Sequence, residues 1–174
     1  TERLNNLIQE IIDFRRIETG NKICKTERCD INEICGEIVD AFADLSEENN
    51  INFSLDIGVG IIWNSDRSCI TTLLHNLLSN AFKYTLHGKS IRIILKVEEG
   101  RASISVVDEG IGIAPEKLDS LFQRFETLAK YNILQPSSGI GLPLVKELAE
   151  MHHGSSEAPR QPGKGRTFRV TFPL

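Results

Sequence analysis

The stretch "SIRIILKVEEGRASISVVDEG", residues 90 to 110, constrains the fold of this chain more than any other. It holds two runs of alternating apolar and polar residues joined by Glu98, Glu99, Gly100 and Arg101, the pattern of a β-hairpin with one face in a core. The second run ends at Asp108. Any fold must therefore give this hairpin a covering layer and further strands.

Both are available elsewhere in the sequence. Alternation in Ile51, Phe53, Leu55 and Ile57 predicts a half-buried strand, and "IIW" before "NSD", "GRTFRVTFPL" at the chain end and a short run around Ile23 predict others. Apolar residues at helical spacing fall at Ile31, Ile34, Cys35, Ile38, Phe42 and Leu45, after Asp30 in N-cap position and with Glu33 where a capping box would place it. A second helix holds "LLHNLLSNAFKYT", residues 73 to 85, with Asp66 near its start. A short helix is expected over 116–122, and "GLPLVKELAEMHHG" reads as a helix stopped by Gly154. Leu4, Leu7, Ile11 and Phe14, widened by Ile8 and Ile12, give the first segment the stripe of a bundle or coiled-coil helix that stops at Gly20. The expected fold is α+β: a two-layer α/β sandwich whose mixed, mostly antiparallel sheet is covered on one face by helices, with an N-terminal helix remnant.

The 174 residues suit one domain plus an appendage. No apolar run is long enough to span a bilayer, and the charged, periodic start "TERLNNLIQE" is unlike a signal peptide and reads as cut out of something longer. A net charge of −4 argues against a nucleic-acid-binding surface. Cys24, Cys29, Cys35 and Cys69 lack the paired spacing of zinc sites and read as reduced thiols.

The residues that carry chemistry stand in a particular order. Asn76, Asn80, Lys83 and Tyr84 are spaced i, i+4, i+7 and i+8, one face of a helix whose Leu73, Leu74, Leu77, Leu78, Ala81 and Phe82 belong to a core. "VVDEGIGI" sets the Asp108 carboxylate at a strand end before Gly110 and Gly112, where a flat ligand or phosphate can approach the backbone. "LFQRF" follows, then a polar, aperiodic segment from Phe125 to Ser138 with the length of a flap, then "SSGIGL" opening a helix whose free N–H groups can hold phosphate oxygens. Each motif alone has a structural reading; their order is harder to obtain by chance.

Taken together they resemble the ATP-binding catalytic domain of sensor histidine kinases, of the family shared with DNA gyrase, heat-shock chaperone ATPases and mismatch-repair ATPases. The resemblance runs from about residue 22 to the C-terminus. It divides the chain into residues 1–20, similar to the end of a dimerisation helix, and 21–174, the catalytic domain. "HHG" after the last motif helix resembles bacterial hybrid sensors. The resemblance implies Mg²⁺ and ATP as cofactors, with Asn80 the metal ligand, Asn76 one turn before it beside the reacting phosphate, Lys83 near phosphate and Tyr84 near adenine. It implies that Asp108 accepts a hydrogen bond from the adenine amino group and that Gly110 and Gly112 line the pocket. Ser138, Gly139, Ile140, Gly141 and Leu142 would hold the phosphates, and Phe122 and Phe125 would seat the lid. Arg124 and Lys130 either reach the γ-phosphate or are simply solvated; His152 and His153 complement a helix dipole.

The chain departs from the family pattern at Ser137, where glycine is frequent, and at Pro143, where a small residue is usual. None of His75, His87, His152 and His153 lies in an H-E-x-x-x-P context, so the phosphoacceptor is not in this sequence. The implied function is transfer of the γ-phosphoryl group to a histidine on the kinase's own dimerisation domain, with a response regulator receiver domain downstream and a homodimer in the full-length protein. The implied setting is the cytoplasmic part of a membrane-anchored sensor. A degenerate nucleotide-binding or docking module is the alternative. A hydrolase of the gyrase or chaperone type is disfavoured because Asn76, a neutral carboxamide, stands where those enzymes carry a glutamate base.

Overall fold

The computed structural model describes residues 4, 5, 8, 12, 25–58, 61–110, 141–158 and 165–173. Along them run β1 (Glu27–Asp30), α1 (Ile31–Glu48), β2 (Asn52–Ile57), β3 (Ile62–Ser65), α2 (Arg67–Tyr84), β4 (Ser90–Glu98), β5 (Arg101–Asp108), α3 (Gly141–Met151), β6 (Ser155–Glu157) and β7 (Arg166–Pro173). The hairpin is β4–β5, in register from Ile91 opposite Asp108 to Glu98 opposite Arg101. Glu99 (φ 51°) and Gly100 (φ 74°) close it as a two-residue turn with positive φ at both central positions, whose twist matches that of the strands.

Five strands make the main sheet, in the order β2-β4-β5-β7-β6; β2 and β4 are parallel and the other neighbours antiparallel, while β1 and β3 form a separate antiparallel pair. Alternation decides the faces. Ile91, Ile93, Leu95, Ala102, Ile104, Val106, Phe168, Val170 and Phe172 are buried, whereas Arg92 and Lys96 are exposed and Ser103, Arg169 and Thr171 partly so. The helices supply the facing side of one core: Ile31, Ile34, Cys35, Ile38 and Phe42 from α1, Ile70, Leu73, Leu74, Leu77, Leu78 and Ala81 from α2, and Leu144, Val145, Leu148 and Ala149 from α3. The two-layer, mostly antiparallel α/β sandwich is as the sequence predicts.

The predicted Asp30 cap forms, and Asp66, expected near the start of its helix, proves to be a cap as well. Asp30 accepts from the Asn32 and Glu33 amides, and Asp66 from the Cys69 amide, each satisfying donors that a helix start leaves over, a contribution of about 1 kcal/mol apiece. Asp66 also accepts from the Lys25 amide, tying the segment before β1 to α2.

Four details depart from the expectation. Leu45 is 37% exposed, because Ser46 turns inward at that level and donates to the Ile51 carbonyl. Glu33 makes an ion pair with Arg67 of α2. The chain leaves α3 through His153, not Gly154: His153 takes the left-handed conformation (φ 59°), its amide donates to the Glu150 carbonyl and the Gly154 amide to the Ala149 carbonyl, the two bonds of a Schellman stop. Gly154 is required for space, since a Cβ there would strike the Thr171 carbonyl. The early strand is β1 at Glu27–Asp30; Ile23 lies outside the described residues, as do Cys24, Gly20 and the helix expected over 116–122.

Leu4, Ile8 and Ile12 are helical and 55%, 46% and 39% exposed, an apolar stripe at i, i+4 and i+8. Among the described residues no helix is long and apolar enough to cross a membrane. Cys29, Cys35 and Cys69 are buried in the core.

Candidate functional site

The polar stripe of α2 enters the molecule where its apolar neighbours bind the sheet. Asn76 is 8% exposed and its Nδ2 donates to the Thr72 carbonyl at 2.8 Å, so its nitrogen is engaged by its own helix and its Oδ1 is left for another partner. One turn on, Asn80 is half-buried, and its Nδ2 is buried without a hydrogen-bond partner among the described residues. Lys83 is half-buried in the last turn and Tyr84 fully buried at the helix end.

Asp108 ends β5 with its side chain on the core face, following Ala102, Ile104 and Val106 at the period of two. A carboxylate there needs compensation. Arg166 provides it from the facing position of β7: Nε lies 3.2 Å from Oδ1 and Nη2 3.0 Å from Oδ2, with neither side chain exposed. The same guanidinium stacks over the Tyr84 ring, 4.7 Å from its centroid, and Nη2 reaches the Asn80 carbonyl at 3.4 Å. Arg166 thus joins the carboxylate to the helix that carries Asn80 and Tyr84. The motifs in the sequence do not single it out, yet a signal is present, because Arg166 shares the period-two face of Phe168, Val170 and Phe172 and so has to point inward.

Two glycines let the backbone close around this pair. The Gly110 amide donates to Asp108 Oδ1 at 2.8 Å, and a Cβ at Gly110 would stand 2.6 Å from the Tyr84 carbonyl oxygen. Gly165 has φ +109°, open to glycine and rare for other residues, and a Cβ there would strike the Asp108 carbonyl. Beside the pair, Glu109 accepts from the Ser90 hydroxyl and amide, which hold its carboxyl below the usual range.

The structure therefore brings together Asn76, Asn80, Lys83 and Tyr84 on one helix, and Asp108 and Gly110 beside its end. Gly141 and Leu142 open α3, with Pro143 in its first turn, where proline is tolerated. Gly112, Phe122, Arg124, Phe125, Lys130, Ser137, Ser138, Gly139 and Ile140 lie outside the described residues. His152 sits at the C-terminal end of α3, its Nδ1 2.9 Å from the Leu148 carbonyl.

The profile of the family described as "Histidine kinase-, DNA gyrase B-, and HSP90-like ATPase" matches residues 65–174, which take in α2, the hairpin, α3 and β7. The chain belongs to that family. Several of the relatives it matches are named histidine kinases. Over 99% of its length it is 30% identical to the sensor-like histidine kinase SenX3 of Mycolicibacterium smegmatis, of which it spans 45%. Its fold matches the histidine kinase AdeS of Acinetobacter baumannii with a TM-score of 0.83, at 24% identity over 99% of this chain and 79% of that one. It also matches full-length ShkA, solved in complex with AMPPNP, with a TM-score of 0.85, at 21% identity over 98% of this chain and 36% of that one.

Proposed function

We propose that this chain binds Mg-ATP and donates its γ-phosphoryl group to a histidine on the dimerisation domain of its own sensor kinase. The observation that carries the reading is the meeting of Asp108 and Asn80 at Arg166, whose Nη2 touches both the Asp108 carboxylate and the Asn80 backbone. A base-reading carboxylate and a metal-binding carboxamide have to sit within one nucleotide's reach, and this pair does. Membership of the ATPase family and the AMPPNP bound by ShkA support the nucleotide.

The donor set suits magnesium. Among the described residues no three His, Cys, Asp or Glu side chains gather to hold a metal, so an ion here would rest on the Asn80 carboxamide oxygen and on the phosphates themselves, as Mg²⁺ does with few protein ligands, while the unpartnered Asn80 Nδ2 is a donor suited to a phosphate oxygen. Bound there, it would neutralise charge on the phosphates. Asn76 and Lys83 stand on the same face, Asn76 to orient the reacting end and Lys83 to offer a cation. Tyr84 would back the base under Arg166, Gly110 and Gly112 would line the base pocket, and the α3 start at Gly141 and Leu142, with Ser138, Gly139 and Ile140 before it in sequence, would take the phosphates.

Kinase chemistry is favoured over hydrolysis because α2 contains no Asp or Glu along its length. No carboxylate on that helix can deprotonate water, and ATP is preserved for a histidine. In this reading residues 1–20 end the dimerisation helix and 21–174 form the catalytic domain; the exposed Leu4, Ile8 and Ile12 stripe supports a partner helix in a homodimer. A response regulator receiver domain would then take the phosphoryl group from the histidine, on the cytoplasmic side of a membrane-anchored sensor.

The test is phosphotransfer from radioactive γ-labelled ATP. The chain alone should stay unlabelled, and the dimerisation domain of its own parent, when added, should gain acid-labile, alkali-stable label that requires Mg²⁺. ATP binding without label on that domain would establish the docking-module reading instead.

A further inference from the structure

A base bound here has two partners among the described residues, the Asp108 carboxylate for its amino group and the Tyr84 ring for its face. One side chain of the protein already holds both. The Arg166 guanidinium turns its Nε–Nη2 edge to Asp108, 3.2 Å from Oδ1 and 3.0 Å from Oδ2, and lies over Tyr84 at 4.7 Å from the ring centroid. The Gly110 amide takes a further place on Oδ1, and neither Asp108 nor Arg166 exposes any of its side chain. A planar group that donates to the carboxylate and covers the aromatic ring stands where the base itself would stand. No base reaches Asp108 past two side chains with no exposed surface, and none slides between a guanidinium and a ring already in contact.

Resting on the nucleotide reading above, we propose that Arg166 is an autoinhibitory plug: it fills the seat of the base, and nucleotide enters only as the guanidinium leaves Asp108 and Tyr84 for water. The closed arrangement is firm, because a charge-assisted fork on a carboxylate is among the stronger polar contacts. It is also incompletely satisfied. Nη1 is buried with no hydrogen-bond partner among the described residues, and Nη2 meets the Asn80 carbonyl only at 3.4 Å. Leaving the seat hydrates Nη1, and the entering base restores a donor to Asp108 and a face to Tyr84. The strands need not move, since rotation of a long side chain opens the seat while the β7 backbone keeps its register with β5. A site open in about 1–10% of molecules binds its ligand about ten- to 100-fold more weakly than one that is always open.

Two measurements test the plug. Calorimetry compares Mg-ATP binding by the wild-type chain and by Arg166→Ala, in which water admitted to the emptied seat keeps Asp108 solvated. The variant should bind about ten- to 100-fold more tightly, because nothing has to be displaced. Equal or weaker binding by the folded variant overturns the proposal and leaves Arg166 a structural tie between β7, β5 and α2. The second measurement uses the wild type alone and so stands even where the variant does not fold. The Arg166 Nε–H, followed by NMR on isotope-labelled chain, should be protected from solvent exchange without nucleotide and lose that protection at saturating Mg-ATP. Protection retained with ATP bound overturns the plug and leaves the nucleotide reading standing. If neither wild type nor folded variant binds ATP, the nucleotide reading fails and the plug falls with it.

Discussion

Arg166 and Asp108 face each other across β5 and β7 as a bidentate pair with no solvent on either side chain. Such a pair is a weak stabiliser when judged against apolar residues of the same volume, because both charges have been taken out of water. Removing one partner is a different matter. Asp108→Asn leaves the guanidinium buried with no counter-charge, and unfolding in urea should show a loss of about 3–5 kcal/mol. The same substitution presents a changed edge to the base, so ATP affinity should fall by roughly five- to 150-fold, measured under conditions where the variant is still folded. An unchanged urea midpoint would mean that the pair is not desolvated in solution.

Gly110 and Gly36 should respond to alanine with opposite signs. At Gly110 the new Cβ would stand 2.6 Å from the Tyr84 carbonyl oxygen and 2.7 Å from Asp108 Oδ1, and both belong to the site. The backbone has to shift, at a cost of about 1–3 kcal/mol, and nucleotide affinity should drop with it. Gly36 lies within α1, and a methyl group there would meet nothing within 4 Å, so Gly36→Ala should stabilise by about 0.5–1 kcal/mol through backbone entropy alone. Thermal melts of the two variants check both signs.

The parts of this molecule that can be read from sequence are those set by local period. Alternation marks the hairpin and β7, helical spacing marks α1 to α3, and Asp30 and Asp66 mark two helix starts. What escapes depends on contacts far apart in sequence. Asp108 and Arg166 are 58 positions apart, and nothing near either residue says that β5 and β7 will be neighbours in that register. Asp108 is legible as a site residue because Gly110 and Gly112 come soon after it; Arg166 looks like the polar start of a strand. His153 in the left-handed conformation escapes for another reason. Gly154 is the obvious stop signal, and only the crowding of Thr171 against it shows that its small size serves packing.

Cys35 should make stability fall at high pH. Burial in the core pushes its thiol up from 9.0 to about 11, so the unfolded chain ionises first. The thiol's contribution is then fully present below pH 9.0 and is lost as pH rises toward 11, a loss of about 3 kcal/mol at roughly 1.4 kcal/mol per unit. Urea titrations across that window should slope downward for the wild type and less steeply for Cys35→Ala. Native protein should also resist alkylation at Cys35 at neutral pH, where thiolate is the reactive form, and react readily once unfolded. A flat wild-type profile matching that of Cys35→Ala would show the thiol to be solvated.

Asn76 offers the sharpest division between a phosphotransferase and a hydrolase. Its Nδ2 is bonded to the Thr72 carbonyl, its Oδ1 is left over, and the metal-binding candidate Asn80 lies one turn along the same face. The oxygen can orient a water but cannot take its proton, so the wild-type chain should hydrolyse ATP very slowly. Asn76→Glu places a carboxylate in the same direction, and a positioned general base contributes about 10²–10⁴-fold where the rest of a site is aligned. The gain here should fall short of that range, because the side chain is only 8% exposed and a carboxylate in that setting resists ionisation close to phosphate charge. Steady-state phosphate release should therefore rise measurably while ATP affinity stays within a few-fold of wild type. If the variant binds ATP and releases phosphate no faster than the wild type, Asn76 does not face the reacting phosphate.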